Sequence, residues 1–301
     1  MLPTLYLHIG TPKSGTTSVQ DFVHDNRTIL KTDFHLWAPE CLVFKRNWEL
    51  ACYSAYPENS NYYLNTLHCF SRSELEAHCL SYPQQFGRII SEIERDDPNA
   101  SVFASSEYLY SQCESDRHLV RLHSLLSRHF KRIELVFTFR DQKAYIRSAY
   151  AQLVKGPRAY TESFDMFLAS VNTKSRYDYQ YRLRKWRAAF PDSPVHQIQV
   201  GKGYVNGSEL QKALLSIVTG DKKSHNLDKL RFPQRVSNRS PAYNNLCLMR
   251  YINRTVGNRF RISRLLRKAL VKSLGAIPLG GHYPTAKLDK VTRQLSSSGK
   301  G

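Results

Sequence analysis

Short continuous apolar runs alternate with helical repeats along most of this 301-residue chain. Residues 4–9 (TLYLHI) form such a run, closed by Gly10, as in a strand buried on both faces. Val19, Phe22, Val23 and Leu30 then recur at helical spacing, which predicts a helix starting near Thr16. Residues 33–39 (DFHLWAP) read as a second strand stopped by Pro39. Ser71 or Ser73 caps a helix expected to run to about Arg95 with an interruption near Pro83. A third strand is expected over 100–107 (ASVFASSE), and 116–130 is amphipathic through Leu119, Leu122, Leu125, Leu126 and Phe130. Residues 132–140 (RIELVFTFR) give the clearest strand, followed directly by a helix from Asp141 to about Val154.

Helical periodicity then dominates, in 162–171, 177–190 and 208–218, with a late strand over 194–200. Ser208 and Gln211 have the spacing of a capping box. Residues 259–272 (RFRISRLLRKALVK) form a basic amphipathic helix whose apolar side is Ile262, Leu265, Leu266 and Ala269, and that side is expected to pack on the core. Strands alternating with helices predict an α/β fold: a P-loop-type three-layer arrangement with a mostly parallel central sheet flanked by helices. With no internal repeat and no long linker, residues 1–301 are expected to form one domain.

Composition narrows the class. An apolar fraction of 41% with 12% aromatic residues supports a real core and excludes a disordered chain. No apolar run reaches the ~18 residues of a membrane span. The first strand starts within a few residues of Met1, leaving no room there for a signal peptide or anchor. The six cysteines form no CxxC pair and fit no zinc or disulfide spacing, so they read as small buried thiols in a reducing cytoplasm. The net charge of +19 is lopsided: residues 231–301 hold 15 Lys and Arg against Asp289 alone. An anionic partner is implied, whether substrate, nucleic acid or the surface of an anionic membrane touched peripherally. Nucleic acid is not expected, because the basic helix offers only Phe260 as a stacking platform.

The chemistry is concentrated in HIGTPKSGTT, residues 8–17. A glycine-bounded loop between strand and helix aims backbone N–H groups at an anion, and the helix N-terminus adds partial positive charge. Gly10 and Gly15 have the Walker spacing, but the lysine that should follow the second glycine stands early, at Lys13. In the bend of the loop an ammonium falls near the first phosphate and its bridging oxygen. That suits a donor whose single 5′-phosphate carries the group to be transferred.

PKSGTT, residues 12–17, resembles the 5′-phosphosulfate loop of sulfotransferases that use 3′-phosphoadenosine 5′-phosphosulfate (PAPS). In that family an arginine ending a later strand and a serine eight residues on hold the 3′-phosphate; here Arg140 ends the clearest strand and Ser148 follows at that distance. The resemblance therefore implies that Pro12, Lys13, Ser14, Gly15, Thr16 and Thr17 hold the 5′-phosphate and that Arg140 and Ser148 hold the 3′-phosphate. A guanidinium with a neighbouring hydroxyl suits such a dianion. PAPS would be the co-substrate and no metal would be needed.

The family also needs a general base. Cytosolic members place a histidine at the end of the third strand, where this chain has Glu107, beside Ser105 and Ser106. Glycan-modifying members use a glutamate after the second strand, which makes His35 and Glu40 the second choice, with Glu49 behind them. A helix-capping Glu107 and a packed strand His35 are the alternatives. Residues 280–295 (GGHYPTAKLDKVTRQL) are similar to a loop and helix of glycan sulfotransferases, where His282, Tyr283 or Lys287 would touch the nucleotide; a plain loop before a terminal helix is the other reading. The implied activity is sulfuryl transfer to a hydroxyl of a glycan or glycolipid. An ATP-dependent P-loop kinase and a non-catalytic nucleotide or glycan binder are the rivals.

Overall fold

The computed structural model describes residues 2–39, 47–67, 70–171, 176–201, 208–220, 224–232, 241–256, 261–276 and 279–297. The chain divides into two compact units, Met1–Arg140 with Leu183–Arg235, and Asp141–Arg182 with Val236–Gly301. The first contains β1 (Thr4–Gly10), α1 (Thr16–Asp25), α2 (Arg27–Phe34), β2 (Leu36–Trp37), α3 (Trp48–Ala55), α4 (Ser60–Leu67), α5 (Arg72–Asp96), β3 (Ser101–Ser105), α6 (Glu107–Gln112), α7 (Asp116–Leu126) and β4 (Arg132–Arg140). The second opens with α8 (Gln142–Lys155) and α9 (Phe164–Ser170). Helix α10 (Tyr179–Ala189) carries the chain back to β5 (Val195–Val200), α11 (Ser208–Thr219) and a 3-10 turn (Ser224–Lys229). Helices α12 (Tyr243–Thr255), α13 (Arg261–Ala276) and α14 (Thr285–Ser297) complete the second unit.

The first unit is α/β with a five-stranded sheet in the order β2-β3-β1-β4-β5, every neighbouring pair parallel. Strand β1 is central, so Leu5, Leu7 and Ile9 are fully buried, as the continuous apolar run requires. On one face Tyr6, Phe103, Val136 and Ile198 pack with Val19, Phe22 and Val23 of α1 and with Leu210 and Leu214 of α11.

Several elements differ from the sequence reading. The helix from Thr16 breaks at Asn26, whose buried amide donates to the Phe22 carbonyl (2.8 Å) and the Arg231 carbonyl (2.9 Å) while its oxygen accepts from Arg231 N–H (2.7 Å). A side chain committed to a distant backbone segment ends the helix there. The second strand shrinks to Leu36–Trp37, because α2 continues to Phe34 and His35 turns left-handed at φ 52°. Helix α5 runs unbroken through Pro83. Its buried stripe of Leu75, Cys79, Tyr82, Phe86, Ile90 and Ile93 outweighs the one backbone hydrogen bond lost. Its N-terminus carries a capping box of Ser71 and Glu74. The box expected at Ser208 does not form, since Gln211 is drawn to donate to Ser18 Oγ at 2.8 Å.

The second unit has its own core: Tyr145, Ile146 and Tyr150 of α8, Phe164 and Phe167 of α9, Leu246 and Met249 of α12, and Leu288 and Leu295 of α14. Helix α13 meets it with the face opposite to the one expected. Leu265 and Leu266 are exposed, whereas Arg267 and Val271 are buried. The Arg267 guanidinium donates to the carbonyls of Val154 (3.0 Å), Lys155 (3.2 Å) and Gly156 (2.7 Å), and its Nε to Asn253 Oδ1 (2.7 Å). These carbonyls end α8, where the helix dipole favours a cation. Arg267→Leu removes the guanidinium from the Lys155 and Gly156 carbonyls and leaves Val154 only the Asn253 amide, at 2.9 Å. It is expected to lower the unfolding free energy of this unit by about 3 kcal/mol, read as a shifted urea midpoint.

Candidate active site

The phosphate-type loop joins β1 to α1 at the carboxyl edge of the sheet, between two neighbouring strands. Thr11 N–H donates to the Thr138 carbonyl of β4 at 3.0 Å, and the Thr11 hydroxyl donates to the same oxygen at 3.1 Å. Ser14 closes the turn, its N–H (3.1 Å) and hydroxyl (2.7 Å) both donating to the Thr11 carbonyl. Between them Lys13 stands exposed at the apex with φ 68°, and Gly15 precedes α1 with φ 89°. Left-handed backbone is ordinary for Gly15 but costs a lysine about 1–2 kcal/mol. A β-carbon on Gly10 would collide with Thr16 Oγ1, so only glycine fits there. The Thr16 hydroxyl is itself buried without a hydrogen-bond partner. An unsatisfied donor in a cradle of N–H groups fits an anionic oxygen such as that of a phosphate.

Behind the loop lies a residue that carried no functional weight in the sequence. His8 is fully buried in β1, with Nδ1 2.8 Å from Ser105 Oγ of β3 and Nε2 3.0 Å from Thr138 Oγ1 of β4. Proton counting fixes the direction of every bond in this chain. Ser14 gives its one hydroxyl proton to Thr11, so it accepts from Thr138 at 2.8 Å, and Thr138 accepts from His8 Nε2–H. Nδ1 then accepts from Ser105, whose oxygen accepts from Gln20 Nε2 at 3.1 Å. Burial, with no facing carboxylate as its cause, holds the imidazole neutral and pushes its pKa down to about 3. A histidine in a fully apolar strand run was the signal available, because a buried imidazole must find partners.

Other proposed residues gather at the same edge. Ser105 ends β3 opposite His8, Ser106 N–H donates to the His8 carbonyl at 3.1 Å, and Ser106 caps α6. Glu107 is the first residue of α6, half-buried, where the helix dipole favours a carboxylate. Arg140 ends β4 two residues beyond Thr138, the partner of Gly10, about 7 Å further along the strand.

The remaining candidates lie elsewhere. His35 is at the opposite edge: its carbonyl accepts from Ser101 N–H at 2.8 Å, and Ser101 pairs with Thr4, six residues or about 20 Å before Gly10. Its Nδ1 faces Asp97 at 2.9 Å, and Trp37 Nε1 donates to the same carboxylate oxygen at 3.1 Å, so His35 is a structural link rather than a base near Lys13. Glu40 lies outside the described residues. Glu49 is buried in α3 with Oε1 3.7 Å from His78 Nε2.

In the second unit Ser148 is buried on α8. His282 is exposed. The Tyr283 ring packs against Phe164 (4.9 Å) and Tyr243 (4.8 Å) with the Arg147 guanidinium 5.5 Å from its centre, and burial raises its hydroxyl pKa. Tyr283 therefore serves this unit's aromatic core. Lys287 is paired with Asp165 at 2.9 Å. Among the described residues no group of three His, Cys, Asp or Glu is placed to hold a metal ion.

Neutral His8 makes stability depend on pH. Its folded pKa lies below the ordinary 6.5, so its contribution is complete above about pH 6.5 and is lost as pH falls toward 3. Between about pH 7 and pH 5 the wild type is expected to lose about 2 kcal/mol more than His8→Gln does, measured by urea unfolding at each pH.

No protein-family model matches the chain, and no curated protein matches it. Among solved structures it is similar to a sulfotransferase from Alicyclobacillus acidocaldarius, at 14% identity and a TM-score of 0.41 over 90% of this chain and 96% of that one. It is similar also to a sulfotransferase domain from the curacin biosynthetic pathway, at 13% identity and a TM-score of 0.41 over 98% of each chain.

Proposed function

We propose that this chain is a PAPS-dependent sulfotransferase that transfers a sulfuryl group to a hydroxyl of a glycan or glycolipid acceptor. The observation that carries the reading is the loop itself: an apical Lys13 ahead of the second glycine, over a buried Thr16 hydroxyl that lacks a partner. Lys13 serves the bridging oxygen, the loop amides with Thr16 and Thr17 serve the 5′-phosphate, and Arg140 and Ser148 serve the 3′-phosphate. The acceptor oxygen forms the new O–S bond as the bridging O–S bond breaks. Glu107 takes the acceptor's proton, Lys13 offsets the charge left on the phosphate, and 3′,5′-adenosine bisphosphate departs.

This scheme uses fixed donors in place of a metal. A kinase would want a magnesium carboxylate after β4, but Asp141 Oδ1 accepts from Ala144 N–H at 2.8 Å and caps α8. The basic balance of residues 231–301 suits an acidic surface polysaccharide or glycolipid precursor. The thiols of Cys52 and Cys79, 3.8 Å apart, suit a reducing cytoplasm.

Without metal, 3′,5′-adenosine bisphosphate is expected to raise the melting temperature, with about 2.7 kcal/mol of stabilisation at a hundredfold excess over Kd; magnesium ATP has little effect. Incorporation of sulfur-35 from labelled PAPS across a panel of glycans, lipids and phenols reads the transfer and its acceptor class. Binding of the bisphosphate with no transfer to any acceptor identifies a non-catalytic relative instead.

Lys13 separates stability from activity. Lys13→Ala keeps the strained backbone and abolishes transfer. Lys13→Gly also abolishes transfer but gains up to about 1 kcal/mol of stability over Lys13→Ala, since glycine accepts the left-handed turn. Glu107→Gln is expected to retain bisphosphate binding while transfer falls by about 100-fold or more.

A further inference from the structure

Helix α13 of the second unit presents three of its four leucines outward. Arg267, Val271 and Leu274, spaced i, i+4 and i+7, turn inward, and Arg267 is only 2% exposed. On the far side Leu265 is 60% exposed, Leu266 52% and Leu270 36%, with Ala269 exposed between them. Lys268 and Lys272, also exposed, run alongside at i, i+4 spacing. Helix α12, in the same unit, adds outward Leu248 and Tyr251, 39% and 62% exposed. Exposed apolar residues grouped on one helix face mark a surface that meets something.

We infer that the outer face of α13 docks on an anionic lipid surface, with Leu265, Leu266 and Leu270 entering the headgroup–acyl boundary and Lys268 and Lys272 meeting lipid phosphates. Charge selects this occupant. Residues 231–301 hold 15 basic side chains against Asp289, whose carboxylate is already 2.7 Å from Lys143 Nζ. A second copy of this chain would bring an equally positive surface against the first. An anionic membrane offers both the apolar layer and the negative charge, and a basic helix with a leucine stripe binds there by both terms. Among the described residues no helix is long and apolar enough to cross a membrane, and an amphipathic helix with Lys268 and Lys272 beside its leucines suits the plane of the interface. The inference uses none of the residues that serve the nucleotide or the acceptor's proton.

Flotation with phosphatidylcholine vesicles, with and without phosphatidylglycerol, tests it. Wild-type protein is expected to float with the phosphatidylglycerol vesicles at low salt and to be partly released by high salt. The triple substitution Leu265→Ser, Leu266→Ser, Leu270→Ser is expected to weaken binding at least roughly tenfold. Lys268→Gln with Lys272→Gln weakens it too and reduces its salt dependence. Each variant should keep the wild-type circular dichroism spectrum and melting profile. Leu266→Trp guards against loss by misfolding: above the signal of the three native tryptophans its emission should shift to the blue on anionic vesicles only. The inference is overturned if wild type stays unbound at low salt, if the leucine variant binds as well as wild type, or if neutral vesicles bind equally. It is equally overturned if wild type sediments as a dimer that the leucine substitutions dissociate while vesicles leave it unbound, which would make the face a self-association surface.

Discussion

The directional hydrogen-bond chain through His8 is the constraint on which the rest of the candidate site depends. From Gln20 to Ser105, His8, Thr138, Ser14 and the Thr11 carbonyl, each donor is spent once. The chain ties α1, β3, β1, β4 and the loop together at one edge of the sheet, in a region where an orphaned donor or acceptor costs about 1–3 kcal/mol. It works only with a neutral imidazole, which is what burial enforces. The strands are thereby locked at the level where the loop begins, and Thr138 does double duty: its carbonyl anchors Thr11 while its hydroxyl anchors Ser14.

That lock explains how a lysine can be held in left-handed backbone. Thr11 and Ser14 are pinned on either side, so Pro12 and Lys13 must bulge outward to connect them. The strain at Lys13 is sustained by hydrogen bonds at its neighbours. The result is an exposed ammonium at a fixed apex above a layer of buried hydroxyls. Of those hydroxyls Thr16 alone in the loop's floor has no partner, and Gly10 gives it the room to stand there. Rigid backing, an empty donor and a strained cation belong together: the first permits the other two.

Much of this was legible in the sequence, for a definite reason. Elements buried on both faces announce themselves by continuous apolar runs, so 132–140 emerged as a strand at its observed bounds and β1 within one residue. The loop was legible because glycine spacing and a displaced lysine are local facts. His8 was not, because its meaning depends on Ser105 and Thr138, which lie 97 and 130 residues away and reach it only through strand register. His35 misled for the converse reason. Its neighbourhood in sequence read as a strand over 33–39, but α2 overran into that strand and left His35 just before the two residues that remain of it, facing Asp97. Glu107, expected as the last residue of the third strand, instead opens α6, because β3 ends at Ser105 and Ser106 caps the helix.

Helix α13 takes the same lesson one step further. Its periodicity is legible in the sequence but its orientation is the reverse of the expected one, since a helical pattern tells which residues share a face and not which face the neighbours need. Helix α8 ends in three carbonyls, and the Arg267 guanidinium reaches all three, with the Asn253 amide donating to the first of them as well. Satisfying these carbonyls, one buried and two partly so, outweighs burying two leucines, because an exposed leucine costs little while a carbonyl shielded from water and left unmet costs more. Once Arg267 and Val271 turn inward, the geometry of a helix sends Leu265 and Leu266 outward and leaves Leu270 at the margin of the buried face. A demand at the end of one helix thus creates an apolar, basic-flanked surface on another.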